Sequence, residues 1–200
     1  MRWFGRLATT NILEWMDIMT RVLLTGGGGS IGVHVIAHIM HNTDWDIVVL
    51  DSFRHKGYRD RITRVCRNHP SWNRRINIIQ HDIVCPISEE MTEKIGKIDY
   101  VLHLAAMSDV FLSVENPVYV IQNNVNSTLT MLEYARRAKP KQFIYFSTDE
   151  VYGPVETGTA HAEWSPHRPS NRMPHQRRRA KTSVMRTGGH TMCLSSSQIR

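Results

Sequence analysis

An α/β fold built on a doubly wound parallel sheet is what this 200-residue sequence predicts, and three observations carry that expectation. Short apolar runs alternate with segments of helical period from residue 21 to residue 146, the order expected of strands joined by crossover helices. The first run, Arg21-Val22-Leu23-Leu24, leads straight into Thr25-Gly26-Gly27-Gly28-Gly29-Ser30-Ile31-Gly32 and then into a helical pattern. The second run, Ile47-Val48-Val49-Leu50, ends in Asp51, nineteen residues after Gly32. Strand, glycine turn, helix, strand and acid in that order suit a dinucleotide: one glycine makes the turn, one admits a pyrophosphate, and one lets helix and strand pack closely.

Taken in order, the helix after the glycines should run from about Ser30 to His41, with Ile31, Val35, Ile36, Ile39 and Met40 on one apolar face. Its first N–H groups, around Gly26, Gly29, Ser30, Ile31 and Gly32, would face the phosphates, where the helix dipole favours negative charge. Asp51 would accept hydrogen bonds from ribose hydroxyls and repel a 2′-phosphate. The segment from Ser52 to Pro70 holds a helix near Asp60 to Asn68, and most of its Arg and His residues read as a solvated face. Ile76 to Gln80 is a third strand, closed by His81-Asp82-Ile83. Ser88 reads as an N-cap, with Met91 and Ile95 on the apolar side of the helix it starts. A fourth strand runs from Asp99 to Leu104 and is followed by Ala105-Ala106, small enough for a ligand to lie against backbone. A long helix from Pro117 to Lys139 carries Val118, Ile121, Val125, Leu129, Leu132 and Tyr134, and Pro140 stops it. Gln142 to Phe146 is a fifth strand, ending at Ser147-Thr148-Asp149-Glu150. Parallel strands gather their ligands beyond their carboxyl ends, where all these flagged residues fall.

Composition narrows the class. No apolar run approaches the length of a membrane span. Cys66, Cys85 and Cys193 share no metal-ligand spacing, so no metal is expected, and free thiols point to a reducing, cytoplasmic setting. The net charge of +7 is confined to the tail: residues 1–164 hold 17 Lys/Arg against 18 Asp/Glu, while residues 165–200 hold 8 and none. It therefore argues for neither nucleic acid nor membrane as a partner of the folded part.

These motifs together resemble the extended short-chain dehydrogenase/reductases, the NAD-dependent nucleotide-sugar epimerases and dehydratases, over roughly Thr20 to Asn171. The matching pieces are the glycine loop at 25–32, His-Asp-Ile at 81–83, His-Leu-Ala-Ala at 103–106, Asn-Val at 124–125 and Ser-Thr-Asp-Glu-Val-Tyr-Gly at 147–153. The last is similar to the dTDP-glucose 4,6-dehydratase subgroup. The resemblance implies a Rossmann-type domain binding NAD, with Asp51 at the ribose, Asp82 and Ile83 at the adenine, and Leu104, Ala105, Ala106 and Asn123 along the cofactor. It implies a nucleotide-sugar substrate held by Ser108, Asn124 and Ser147. Thr148 would bond the sugar 4-hydroxyl, Glu150 would take the C5 proton and Asp149 would protonate the departing C6 hydroxyl. Epimerase or decarboxylase chemistry, or a non-catalytic NAD-binding fragment, is the alternative, and the full-length family forms homodimers.

The sequence departs from the family in places. Met107 and Asp109 stand where Glu and His are common, and Ser127 replaces a glycine. The catalytic Tyr-x-x-x-Lys is missing: no tyrosine follows Tyr152, and no tyrosine has lysine four residues later. Beyond Asn171, hydrophobic periodicity and acids both vanish. If one C is missing after the Asn171 codon, permitted codons for the following residues restore Pro-Tyr-Ala-Ala-Ser-Lys, an amphipathic helix and a strand. Residues 172–200 are therefore expected to be an out-of-frame, disordered basic tail, and the chain a truncated one with little activity. Residues 1–18 are expected to lie outside the fold, either through an upstream start codon or as a transit-like extension.

Overall fold

The computed structural model describes residues 19–155, 159–162, 164–168 and 190–194; the 1–18 extension and most of the 172–200 tail lie outside these. Six strands form one parallel sheet: β1 (Arg21–Thr25), β2 (Asp46–Asp51), β3 (Ile76–Gln80), β4 (Tyr100–His103), β5 (Gln142–Thr148) and β6 (His190–Leu194). Their order is β3-β2-β1-β4-β5-β6, so the direction of winding reverses between β1 and β4. The helices are α1 (Ser30–Asn42), α2 (Tyr58–Cys66), α3 (Glu89–Ile95), α4 (Val110–Glu115) and α5 (Pro117–Ala138). Single 3-10 turns follow α2 at Pro70–Arg74 and β5 at Asp149–Val151. None of the described helices is long and apolar enough to cross a membrane.

The strands are apolar on both faces because each face is covered. Leu23, Val48, Val101 and Tyr145 point to one layer, where they meet Ile95 of α3 and Met131, Leu132 and Tyr134 of α5. Val22, Leu24, Ile47 and Val49 point to the other, against Ile36, Ile39 and Met40 of α1 and Ile62 of α2. Each such side chain, fully removed from water, contributes about 1.5–3 kcal/mol before entropy is counted. These two layers hold the sheet rigid, and the site is mounted on its carboxyl edge.

Of the apolar residues named on α5, Val118, Ile121 and Leu129 are exposed and Leu132 and Tyr134 are buried; the buried face is Val120, Asn124, Ser127, Thr128, Met131, Leu132 and Tyr134. Polar residues are tolerated on that inner face because the sheet presents them with partners, described below. The short helix α4 was not anticipated; Asp109, standing where the family has His, caps it by accepting a hydrogen bond from the Leu112 N–H at 3.0 Å. Within the tail, His190–Leu194 pairs in parallel with Ile144–Thr148 of β5. The outer edge of β5 offers unpaired backbone groups, and an extended segment can satisfy them through its own backbone whatever its side chains.

At the opposite edge, Asp99 pins the starts of three strands. One carboxylate oxygen accepts the Arg21 N–H at 2.9 Å and the other meets Lys141 Nζ at 2.9 Å. Burial pulls this carboxyl up, but the Arg21 hydrogen bond and Lys141 outweigh it and hold it below the usual carboxylate range. Lys141 is mostly exposed, so the Arg21 bond carries most of the effect. A depressed folded-state value means the stabilisation is complete above the unfolded value of about 3.9 and is lost as pH falls through the folded one. Asp99→Ala is expected to cost about 1–3 kcal/mol by orphaning the Arg21 N–H. In urea titrations the wild-type advantage over the variant should shrink as pH drops below about 4; an advantage independent of pH would show that the ionised carboxylate is not what matters.

Candidate functional site

A cleft of about 700 Å³ opens at the carboxyl edge of the sheet, over the β1/β4 reversal. That volume lies within the range of cofactor sites. The glycine loop forms its floor. Gly26 takes φ +72°, and a Cβ there would lie 2.8 Å from the Ala105 backbone. A Cβ on Gly32 would lie 2.3 Å from the Gly26 carbonyl oxygen. The loop closes through Gly26 N–H to the Leu50 carbonyl and Gly29 N–H to the Gly26 carbonyl, both 3.1 Å. The first intrahelical bond of α1 is Val33 N–H to Gly29 carbonyl, and Gly29 offers no capping side chain. The N–H groups of Ser30, Ile31 and Gly32 therefore head into the cleft without helical partners, a ready site for an anion.

Asp51 ends β2 and is 7% exposed. One carboxylate oxygen accepts the Gly28 N–H and the other the Phe53 N–H, each at 2.9 Å. It thus ties the glycine loop to the β2–α2 loop and holds Phe53 at φ +50°, a strained value for a residue with a Cβ. Each oxygen retains a lone pair for a ligand hydroxyl. Asp82, after β3, accepts from the Val84 N–H at 3.1 Å through one oxygen and from Arg54 Nη2 through the other. Burial raises the Asp82 carboxyl, but the hydrogen bonds from Arg54 and Val84 and the Arg54 charge hold it below the usual range.

Under the loop lies a buried polar chain. The Thr128 hydroxyl donates to the Asn124 carbonyl at 2.8 Å, so His103 Nε2 must carry the proton in its 3.3 Å contact with Thr128. Neutral His103 then accepts from the Thr25 hydroxyl at Nδ1, 2.7 Å away, and Thr25 accepts the Ala105 N–H at 3.2 Å. The tautomer is assigned from this network. It locks β1, β4 and α5 together and explains the polar inner face of α5.

At the far end, β5 delivers Ser147, Thr148, Asp149 and Glu150 to the cleft. Thr148 donates to Asp149 at 3.3 Å, and the Glu150 N–H donates to Asp149 at 3.1 Å. Among the described residues, Glu150 Oε2 and Ser147 Oγ are buried with no hydrogen-bond partner, the condition of groups awaiting a ligand.

Of the residues singled out from sequence, Gly26, Gly29, Ser30, Ile31, Gly32, Asp51, Asp82, Ile83, Leu104, Ala105, Ala106, Ser108, Asn123 and Ser147 to Glu150 all line this cleft. Asn124 does not line it. It is 4% exposed, its Oδ1 accepts the Met107 N–H at 2.8 Å, and its Nδ2 donates to the Met107 carbonyl at 2.9 Å. Its side chain shapes the loop that carries Ser108. Arg54, His55 and Arg61 also line the cleft, as does His81 of the His-Asp-Ile motif, although most charges between Ser52 and Pro70 read as a solvated face. No local pattern marks the first three, since a loop residue's direction depends on what packs across from it.

The model of the NAD dependent epimerase/dehydratase family matches residues 22–183. The chain belongs to that family. Among its relatives, UDP-glucuronic acid decarboxylase 6 from Arabidopsis thaliana is 34% identical over 133 residues, covering 66% of this chain and 35% of that protein. The dTDP-glucose 4,6-dehydratase of Escherichia coli is 32% identical over 142 residues, covering 66% and 38%. A solved dTDP-glucose 4,6-dehydratase from Streptomyces venezuelae, with NAD and TYD bound, superimposes with a TM-score of 0.73 at 26% identity over 88% of this chain and 55% of that one. The chain thus spans little more than a third of these curated relatives and about half of the structural one. NAD is the cofactor of this epimerase/dehydratase family, and the cradle fits it: close-packed glycines, helix N–H groups without helical partners, and Asp51 at the end of β2 with acceptor capacity left. The family match runs twelve residues past Asn171, into the stretch read as out of frame.

Proposed function

We propose that this chain is the NAD-binding portion of a nucleotide-sugar 4,6-dehydratase. The observation that carries the reading is the pair Asp149–Glu150 placed side by side in the cleft, with Glu150 Oε2 buried and unpartnered. Ser30, Ile31 and Gly32 hold the pyrophosphate with backbone N–H groups, Asp51 the ribose and Asp82 the adenine amino group. NAD held in this cleft would supply a hydride acceptor for oxidation at the sugar C4 and a hydride donor at C6, and the 4-hydroxyl proton would pass to the tyrosine base that the restored frame supplies. Thr148 bonds the 4-hydroxyl, Glu150 takes the C5 proton, and Asp149 protonates the C6 hydroxyl as it leaves as water.

No tyrosine of this sequence has a lysine four residues later, so none carries the family's Tyr-x-x-x-Lys pair. Tyr134 is buried in the core behind the sheet, and burial pushes its hydroxyl up to about 12, the wrong direction for a base. Residues 172–200 are read as out of frame, which removes the Tyr/Lys pair.

Sequencing the DNA across codons 165–181 tests the frame. The version with the added C should then convert dTDP-glucose to a 4-keto-6-deoxy product carrying one solvent deuterium at C5 when run in heavy water, and the chain as given should form little or none. The decarboxylase relative supports a second reading. Release of CO2 from UDP-glucuronate, with dTDP-glucose untouched, would establish that reading and overturn the dehydratase one.

A further inference from the structure

Arg54 occupies an unusual position. It sits on the β2–α2 loop, three residues past Asp51, yet its guanidinium spans the adenosine end of the cleft. Nη2 donates to Asp82 beyond β3, while Nη1 donates to Tyr119 Oη at 3.2 Å and to Asn123 Oδ1 at 3.1 Å, both on α5. Three separate elements are therefore joined through one planar group. Asn123 in turn donates to Asn124 Oδ1 at 3.2 Å, and Asn124 grips the Met107 backbone, so the fork is anchored to rigid structure at its α5 end. The Arg54 and Asp82 side chains are 31% and 38% exposed. A pair so open to water adds little to stability, which leaves geometry as its main contribution.

We propose that Arg54 sets the base specificity of the cofactor site by fixing the direction of Asp82. The inference rests on the reading of this cleft as an NAD site, with Asp82 facing the adenine. With Arg54 on one oxygen and the Val84 N–H on the other, the Asp82 carboxylate cannot rotate, and each oxygen keeps a lone pair for a further donor. A carboxylate held in this way accepts the 6-amino group of adenine and rejects a base with an oxygen at that position. Freed of Arg54, it can swing to accept a ring N–H instead, and so tolerates hypoxanthine. Lysine cannot replace the fork, because one ammonium cannot reach Asp82 and the two α5 acceptors in fixed directions. Arg54 is thus a positioning residue acting through Asp82. Both the short reach from Asp51 and the three-way bridge are features of the folded chain alone.

The test is calorimetric titration of the chain with NAD and with nicotinamide hypoxanthine dinucleotide, for the wild type, Arg54→Met and Arg54→Lys. Wild type should prefer NAD by about tenfold, the worth of one good hydrogen bond to a charged group. In Arg54→Met the NAD affinity should fall about tenfold while the two dinucleotides come within about twofold of each other. Arg54→Lys should restore NAD affinity in part and discrimination hardly at all. Thermal melting of all three checks that they are folded. Unchanged discrimination in Arg54→Met overturns the proposal. So does an equal weakening of both dinucleotides, which would make Arg54 merely part of the wall. Failure of wild type to bind either dinucleotide refutes the NAD reading itself, and the proposal falls with it.

Discussion

Gly32→Ala is expected to abolish NAD binding, with a loss of more than about a hundredfold, although alanine is the better helix former by about 1 kcal/mol. The added methyl would stand 2.3 Å from the Gly26 carbonyl oxygen and 2.7 Å from the Gly27 Cα. Both are backbone atoms of the turn, so relief requires moving the loop and not a side chain. The Gly26 carbonyl also accepts the Gly29 N–H, and displacing it disorders the N–H groups proposed to hold the pyrophosphate. Gly57→Ala is the matched control. Gly57 has φ +86° with open space around its Cβ position, so the cost is only backbone strain, about 1 kcal/mol, with binding retained. Isothermal titration with NAD and circular dichroism of both variants decide the matter. Equal behaviour of the two would mean that the packing at residue 32 is not what the site depends on.

Asp51→Ala is expected to have the second large effect, and to have it twice over. In the free chain it strips acceptors from the Gly28 and Phe53 N–H groups and releases the strained Phe53 backbone, at a net cost of about 2–4 kcal/mol. On binding it also removes the acceptor proposed for the ribose hydroxyls, a further loss of about thirty- to a hundredfold in affinity for NAD. Asp51→Asn should do nearly as badly, because its amide presents N–H groups to one of two backbone N–H groups. Urea denaturation separates the first effect from the second. Lost stability with unchanged NAD affinity would reduce Asp51 to a pin between two loops.

These effects centre on residues that local sequence makes visible. Turn chemistry and periodicity are read over a few neighbouring residues, which is why the glycine loop, Asp51 and the Ser88 cap emerge from the chain, and why β3 falls at Ile76–Gln80 as expected. The Asp149–Glu150 pair belongs to this class, since it follows directly from the end of β5. Arg54 and the Asn124 clamp do not. Their partners lie on other elements, 28 and 65–69 residues away in sequence for Arg54 and 17 for Asn124, and no local pattern encodes such a meeting.

Helix α5 shows the boundary most clearly. Its apolar residues at 118, 121 and 129 face outward, and the side turned to the sheet carries Asn124, Ser127 and Thr128. Sequence alone determined that residues 117–138 form a helix and that the strands lie in parallel with their ligands at the carboxyl edge. Tertiary structure decided which face of α5 is buried, because His103 and the Met107 backbone supply hydrogen bonds that make polar groups stable there. It also decided that β5 pairs with residues 190–194, since an open strand edge selects for backbone reach and not for side-chain pattern.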